Sequence, residues 1–473
     1  MQGSAGLGGR VVGLGGWGWL GSLGCWLVAA VGLGALGCGE GGERVRPGGC
    51  GLAGYDWLPA AEVGAVLDFA EHDELALSSA ALDALLAAEG YAEFTPLPYG
   101  GRLFSLRYST QDKGRTVEAT GLVALPWNAG QPAAAHPRVL FLHGTTGFTS
   151  ACAPSRRPGE DGLALLLLAA HGWIAVAPDY IGLDAGADPQ APPPVAHAYL
   201  GLEQTAIGSL DMLRAADALL RDELAELARP GPAAVLWGGS QGGHAVFACD
   251  RLAPLYAPQF DILAALALVP ATDLVGLAEY ALSDTNPATA ALAASLASLH
   301  RWHQGQAPLD ALLTDEAPAE LASALLPAMD GSCRPDAVLA GIESVDQVYQ
   351  PEILEAAAGG NLAALEPWGC YMRHNSIATT PFPLRNATPT LFVLGERDDL
   401  VDAASERADF DRLCAAGYRL DYLECAGAGH TEAAAWSLPE QIAWLQARLE
   451  GRPLDPAAVC RRRPPSRCSL QPD

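Results

Sequence analysis

Lysine is nearly absent from this chain. Of its 28 basic residues only Lys113 is a lysine, and the basic residues face 54 acidic ones, for a formal net charge of −26. With no basic stripe along the sequence, nucleic-acid binding through phosphate contacts is disfavoured, and so is an electrostatic grip on anionic membranes. Cysteine is sparse for the length: 11 in 473 residues do not make a small disulfide-stapled scaffold. Zinc-type cysteine spacing, a Walker-type glycine loop and internal repeats are all missing. Gly359-Gly360 and the N-terminal glycines lack the strand context that a dinucleotide fold requires. The scarcity of lysine beside abundant Ala, Gly and Pro reads as a compositional bias without functional meaning.

Apolar residues, in contrast, make up 50% of the chain. That rules out disorder along its whole length and is ample for a large core. Met1 to Arg10 hold one positive charge, and Val11 to Gly37 hold none. Glycine recurs through this stretch, which weakens a membrane-spanning helix. It reads instead as a secretory signal peptide, with a retained membrane anchor as the alternative. Ala35-Leu36-Gly37-Cys38 resembles a bacterial lipoprotein cleavage box, with Ala35 where leucine is usual, so Cys38 is a candidate for lipidation and membrane tethering. The glycine-rich run from Gly39 to Gly54 suits a flexible tether.

Export would permit disulfides. With Cys25 and Cys38 set aside, nine cysteines remain, and an odd number leaves at least one thiol unpaired. Candidate pairs by position are Cys460 with Cys468, Cys414 with Cys425, and Cys333 with Cys370. Connectivity itself cannot be deduced from sequence.

From Arg102 to Pro126 the pattern is strand, turn at Asp112-Lys113-Gly114, strand. Short apolar runs then alternate with longer helical ones. Strands are expected at Val139–Leu142, Trp173–Ala177, Ala234–Trp237, Ile262–Val269, Thr390–Leu394 and Tyr418–Leu423. Helices are expected at Leu163–Ala170, at Leu202–Leu227 (ended by Pro230-Gly231-Pro232), at Gln241–Leu252 and at Trp436–Leu449. This alternation implies a mostly parallel sheet with helices on both faces. Between Val269 and Thr390 lie about 120 residues, where a crossover needs a dozen or more. Helical spacing in Ala288–Leu299 and Leu309–Leu326 makes this a helical insertion over one end of the sheet.

Gly238-Gly239-Ser240-Gln241-Gly242 falls between a strand and a helix. In that setting G-x-S-x-G is a nucleophile elbow, which projects Ser240 Oγ above the sheet. Gly238, Gly242 and Gly243 would keep the turn free of Cβ clashes. Such a serine needs a base and an orienter, in the order Ser, acid, His. Both follow predicted strands: Gly395-Glu396-Arg397-Asp398-Asp399, then Gly427-Ala428-Gly429-His430. His430 is the expected base and Asp398 its orienter, with Asp399 the rival. Oxyanion donors are expected from Gln241 N–H and, on the loop His143-Gly144-Thr145-Thr146-Gly147, from Thr145 N–H. Asp179-Tyr180 reads as loop structure. Trp302, His303, Trp368, Tyr371 and Met372 fall in the insertion and read as cap packing, with an acyl pocket as their other possible use.

His143-Gly144-Thr145-Thr146-Gly147 with Cys152-Ala153-Pro154-Ser155, Val176-Ala177-Pro178-Asp179-Tyr180-Ile181-Gly182-Leu183 and Gly239-Ser240-Gln241-Gly242-Gly243 together resemble the secretory lipase family of α/β-hydrolases. The likeness runs from about Arg102 to Leu449. The glycine-rich leader and the Cys460–Cys468 tail fall outside it. The resemblance implies an α/β-hydrolase fold with a large helical cap inserted before the strand carrying the acid. It implies an exported carboxylic-ester hydrolase, often acting on acylglycerols, with Ser240, Asp398 and His430 as the triad.

The expected organisation is a signal peptide over 1–38, a tether over 39–54, and a hydrolase core over 55–270 and 386–450. A cap occupies 271–385 and a tail 451–473. The expected partner is a small-molecule ester or lipid, with no cofactor or metal required. A short-chain or polysaccharide-deacylating esterase would use the same residues. A non-catalytic surface binding protein of this fold usually lacks a triad member, and all three are present here.

Overall fold

The computed structural model describes residues 49–88, 91–183, 195–305, 308–317, 333, 342–386 and 388–472. The leader, with Cys25 and Cys38, lies outside the described residues.

One sheet runs through the molecule. Its strands are β1 (Val66–Glu71), β2 (Gly100–Asp112), β3 (Arg115–Trp127), β4 (Ala134–Leu142), β5 (Ile174–Pro178), β6 (Ala228–Gly239), β7 (Asp261–Leu268), β8 (Pro389–Gly395) and β9 (Arg419–Cys425). Their order is β1-β2-β3-β5-β4-β6-β7-β8-β9. Strands β4 to β9 are parallel, and β1 to β3 form an antiparallel edge against β5. The β2–β3 connection is the two-residue turn Lys113-Gly114, with φ of 49° and 70°. Such left-handed pairs match the twist of a hairpin.

The helices are α1 (Ser79–Ala88), α2 (Pro158–Ala170), α3 (Leu202–Asp222), α4 (Gln241–Tyr256), α5 (Leu274–Ser283), α6 (Ala288–Trp302), α7 (Pro351–Ala358), α8 (Trp368–Asn375), α9 (Ala403–Ala415), α10 (His430–Trp436) and α11 (Leu438–Leu449). The central strands are apolar at nearly every position because both sheet faces are covered. Alternate residues enter two cores. Leu140, Leu236 and Phe392 pack with α3 and α4 on one face. Val139, Val235 and Leu391 pack with α2 and α11 on the other. Helices α5 to α8, between β7 and β8, form a third core around Leu296, Tyr349 and Trp368, joined by Phe148, Tyr199, Leu200 and Val401 from the sheet's loops. The sheet is mostly parallel with helices on both faces, as the strand–helix alternation predicts, and the fold is the α/β-hydrolase fold that the family resemblance implies.

Several local expectations fail for identifiable reasons. Helix α3 stops at Asp222, and Ala228 to Pro232 already belong to β6, pairing with β4 across an irregularity at His136/Arg138. The proline cluster thus lies in a strand and does not cap the helix. Leu309–Ala311 is a single 3₁₀ turn, and the rest of the helix expected to Leu326 is either irregular or outside the described residues. The C-terminal helix is two helices, since Ser437 closes α10 and caps α11.

Every candidate cysteine pair is overturned. Among the described residues the bonds are Cys50–Cys370, Cys152–Cys333, Cys414–Cys460 and Cys425–Cys468, and buried Cys249 is unpaired. Nearness in sequence misled, because these bonds join segments that only the fold brings together. Cys50 ties part of the expected tether to α8. The tail is likewise no appendage, since it runs along the outer edge of β9. Cys460 N–H donates to Leu420 O at 2.8 Å and Ser466 N–H to Glu424 O at 2.9 Å. That covers an edge strand otherwise open to pairing.

The Cys425–Cys468 bond closes 43 residues. Replacing both cysteines with serine should destabilise the fold by about 2–4 kcal/mol, seen as a lower thermal midpoint. An unchanged midpoint would show that the tail holds without the bond.

Candidate active site

Strand order reverses around β4: the chain goes next to β5 on one side and then to β6 on the other. Crevices at such switch points, at the carboxyl ends of the strands, are where open α/β sheets bind ligands. The loop after β4 carries Thr145 and the turn after β6 carries Ser240.

Ser240 has φ 56° and ψ −119°. This backbone costs about 1–3 kcal/mol for a non-glycine residue. It is held by Ser240 N–H donating to Leu268 O at 2.9 Å and His244 N–H donating to Ser240 O at 3.1 Å. A Cβ on Gly242 would lie 1.9 Å from Leu142 O, one on Gly238 2.5 Å from Gly242 O, and one on Gly243 2.8 Å from Leu268 O. The three glycines are therefore steric requirements of the turn. Gln241 opens α4, so its N–H lacks an intrahelical partner and is available at the turn. Its side-chain amide donates to His197 Nε2 at 2.9 Å, while His197 Nδ1 faces Ile181 O at 3.2 Å.

The loops after β8 and β9 are stitched together. Arg397 N–H donates to Ala428 O at 2.8 Å and Glu396 N–H to Cys425 O at 3.1 Å. A Cβ on Gly395 would come within 2.6 Å of both Ala428 O and Gly429 O, so glycine there lets the loops close. His430 is thereby set beside Asp398, with Nδ1 to Oδ2 at 2.7 Å. Asp398 Oδ1 accepts from Leu400 N–H at 3.0 Å and Val401 N–H at 2.9 Å. That leaves Oδ2 for the imidazole and fixes the Nδ1–H tautomer. His430 Nε2 is buried without a hydrogen-bond partner, an unused acceptor. Asp399 is exposed, and its backbone carbonyl accepts from Tyr280 Oη at 2.7 Å.

A cavity of about 420 Å³ contains Gly144, Thr145, Ser240, Gln241 and His430 in its wall, completed mainly by Leu200, Leu277, Ala291, Leu292 and Leu400. All but one of the candidate residues line this space, and the other, Asp398, stands behind His430. A base holding a free Nε2 in the same cavity wall as a serine, with an amide at a helix start, can transfer a proton and stabilise charge on an oxygen.

The chain belongs to the secretory lipase family. The model of that family, described as secretory lipase, matches residues 159–456. This chain is a carboxylic ester hydrolase. Among solved structures it is similar to the ligand-bound rice cell wall degrading esterase LipA from Xanthomonas oryzae, at 17% identity and a TM-score of 0.64. That match covers 82% of this chain and 99% of the esterase. It is also similar to Candida antarctica lipase A in its closed state, at 15% identity and a TM-score of 0.61, covering 85% of each chain. No curated protein sequence matches the chain.

Other candidates go elsewhere. Asp179 is structural: its carboxylate accepts from Ser155 N–H at 2.9 Å and Thr120 Oγ1 at 2.6 Å. Tyr180 Oη donates to His143 O at 3.0 Å, which steadies the loop bearing Thr145. Buried His143, its basicity pushed down to about 4 by desolvation, faces Gly144 O through Nδ1 at 2.6 Å. His244 is buried against Asn375 O at 2.8 Å. Of the insertion residues named from sequence, Met372 reaches the cavity wall, whereas Trp302, His303, Trp368 and Tyr371 do not. Cys50, His303 and His374 bring ligand-type atoms within 4.8 Å of one another. Cys50 is committed to its disulfide and offers no thiolate to a metal. Sequence reading missed Tyr199 and Leu200, which lie in a non-periodic stretch before α3 and carry no motif.

Asp398→Asn should lower kcat by about 10⁴-fold by losing the tautomer. Asp399→Asn should stay within a few-fold of wild type. Steady-state rates on p-nitrophenyl butyrate check this, and equal losses in the two variants would contradict the assignment.

Proposed function

We propose that the chain is an exported serine hydrolase that cleaves esters of apolar carboxylic acids through Ser240, His430 and Asp398. The observation that carries this reading is the state of His430. Its Nδ1 is committed to buried Asp398, and its Nε2 is unpartnered in the cavity wall that also holds Ser240. Nε2 takes the Ser240 proton as Oγ bonds to the ester carbonyl carbon, and the carbonyl electron pair moves onto oxygen. The N–H groups of Gln241 and Thr145 stabilise that oxygen. His430 then protonates the leaving alkoxide, and a water deprotonated by His430 frees the acid from Ser240.

The leucine- and alanine-lined cavity supports an acyl-bearing substrate, with α5 and α6 as the wall over the acyl chain. Export fits the four disulfides, which persist in oxidising compartments. An esterase that strips short acyl groups from a polysaccharide would use the same residues but gain little from this lining.

Ser240→Ala should abolish both ester hydrolysis and labelling by a fluorophosphonate. Across p-nitrophenyl esters from acetate upward, kcat/KM should rise about fourfold per methylene until the cavity is filled. Ala291→Phe should shift the optimum to shorter chains. A profile highest at acetate would favour the deacylating esterase, and a Ser240→Ala variant that still turns over would refute the mechanism.

A further inference from the structure

Thr145 carries a second polar group into the site besides its amide. Its neighbour Gly144 lies against the nucleophile, since a Cβ on Gly144 would be 3.8 Å from Ser240 Cβ. Thr145 Oγ1 lies 2.9 Å from Tyr199 Oη, and both residues line the cavity that holds Ser240 and His430. Two hydroxyls facing each other hold two protons, and their mutual bond uses one. One O–H of the pair is therefore unspent in the cavity wall.

Which hydroxyl keeps it follows from how each residue is held. Tyr199 is buried and its backbone N–H donates to Ser298 Oγ at 3.0 Å. Its ring packs edge-to-face on Phe148 at 5.1 Å between centroids, which fixes where the phenol points. Burial also pushes its pKa up, so the phenol stays protonated and able to donate. Thr145 stands on the loop that abuts Ser240, and its hydroxyl can turn about a single bond.

We propose that Tyr199 donates to Thr145 Oγ1 and that the Thr145 hydroxyl proton is a third donor to the carbonyl oxygen when it becomes an oxyanion. This rests on the acyl-transfer reading above. Thr145 is on this assignment a catalytic residue through its side chain, and Tyr199 a positioning residue. As Ser240 Oγ bonds to the carbonyl carbon, charge collects on the oxygen and the Thr145 bond shortens. When the carbonyl re-forms and the alkoxide leaves with the His430 proton, that bond relaxes. An interaction that strengthens only with developing charge raises kcat and leaves KM nearly unchanged.

The test uses the whole purified chain with p-nitrophenyl butyrate, alongside fluorophosphonate labelling and thermal midpoints. Thr145→Val keeps the shape, removes the hydroxyl and retains the amide. It should lose about 10²-fold in kcat with KM within about twofold. Thr145→Ser, which restores the hydroxyl, should recover to within about threefold. Tyr199→Phe should lose about three- to tenfold in kcat, again at constant KM. Labelling of Thr145→Val at Ser240 should slow in parallel yet reach completion, showing the nucleophile intact. A Thr145→Val enzyme within about threefold of wild type overturns the proposal, as does a Thr145→Ser enzyme as impaired as the valine variant. Wild-type protein that neither labels at Ser240 nor hydrolyses the ester overturns the acyl-transfer reading itself. A labelled wild type with an unaffected valine variant overturns only the third donor.

Discussion

The left-handed backbone of Ser240 is tenable only because no side chain stands where α4 presses against the ends of β4 and β7. Gly242 is the tightest point, with its missing Cβ 1.9 Å from Leu142 O. This contact sets the start of α4, and so places the Gln241 amide next to the serine. It also draws the turn against the loop after β4, so that Gly144 lies against Ser240. A larger residue at any of the three glycines would shift Ser240 relative to the Gln241 amide as well as relieve the turn.

Around that fixed point the remaining chemistry is delivered by loops locked to one another. The loops after β8 and β9 share backbone hydrogen bonds, and Asp398 is saturated on one oxygen by Leu400 and Val401 N–H. The imidazole is held from one side while its other nitrogen has no hydrogen-bond partner. Helices α5 to α8 share one core with Phe148, Tyr199, Leu200 and Val401, so the wall over the cavity is packed onto the same loops that carry Thr145 and Asp398.

Much of this was readable in the sequence because the signals are local. Strand–glycine turn–helix is a local pattern, and so is an acidic or histidine-bearing loop directly after a buried strand. Period-2 burial does not separate the two sheet faces when both are covered, yet the apolar runs alone located the parallel strands. What was not readable depends on distance in space. The partners of Cys50 and Cys152 lie 320 and 181 residues away, and no spacing rule reaches that far. Pro230 and Pro232 looked like a helix stop because local propensity cannot see that both lie in β6, where Pro230 pairs with His136 of β4 beside an irregular register. Asp398 and Asp399 are equivalent as letters; only the buried geometry, with His430 Nδ1 on Asp398 Oδ2, separates them. Tyr199 sits outside any periodic element, so nothing in its neighbourhood marked it.

We propose that ester cleavage passes through an acyl group on Ser240. Rapid mixing with p-nitrophenyl butyrate, followed by acid quench and mass analysis of the peptides, tests it most directly. The account predicts a burst of p-nitrophenol of about one equivalent and a butyryl group on the peptide containing Ser240. Turnover with no acylated peptide and no burst, or an acyl group on another residue, would contradict it.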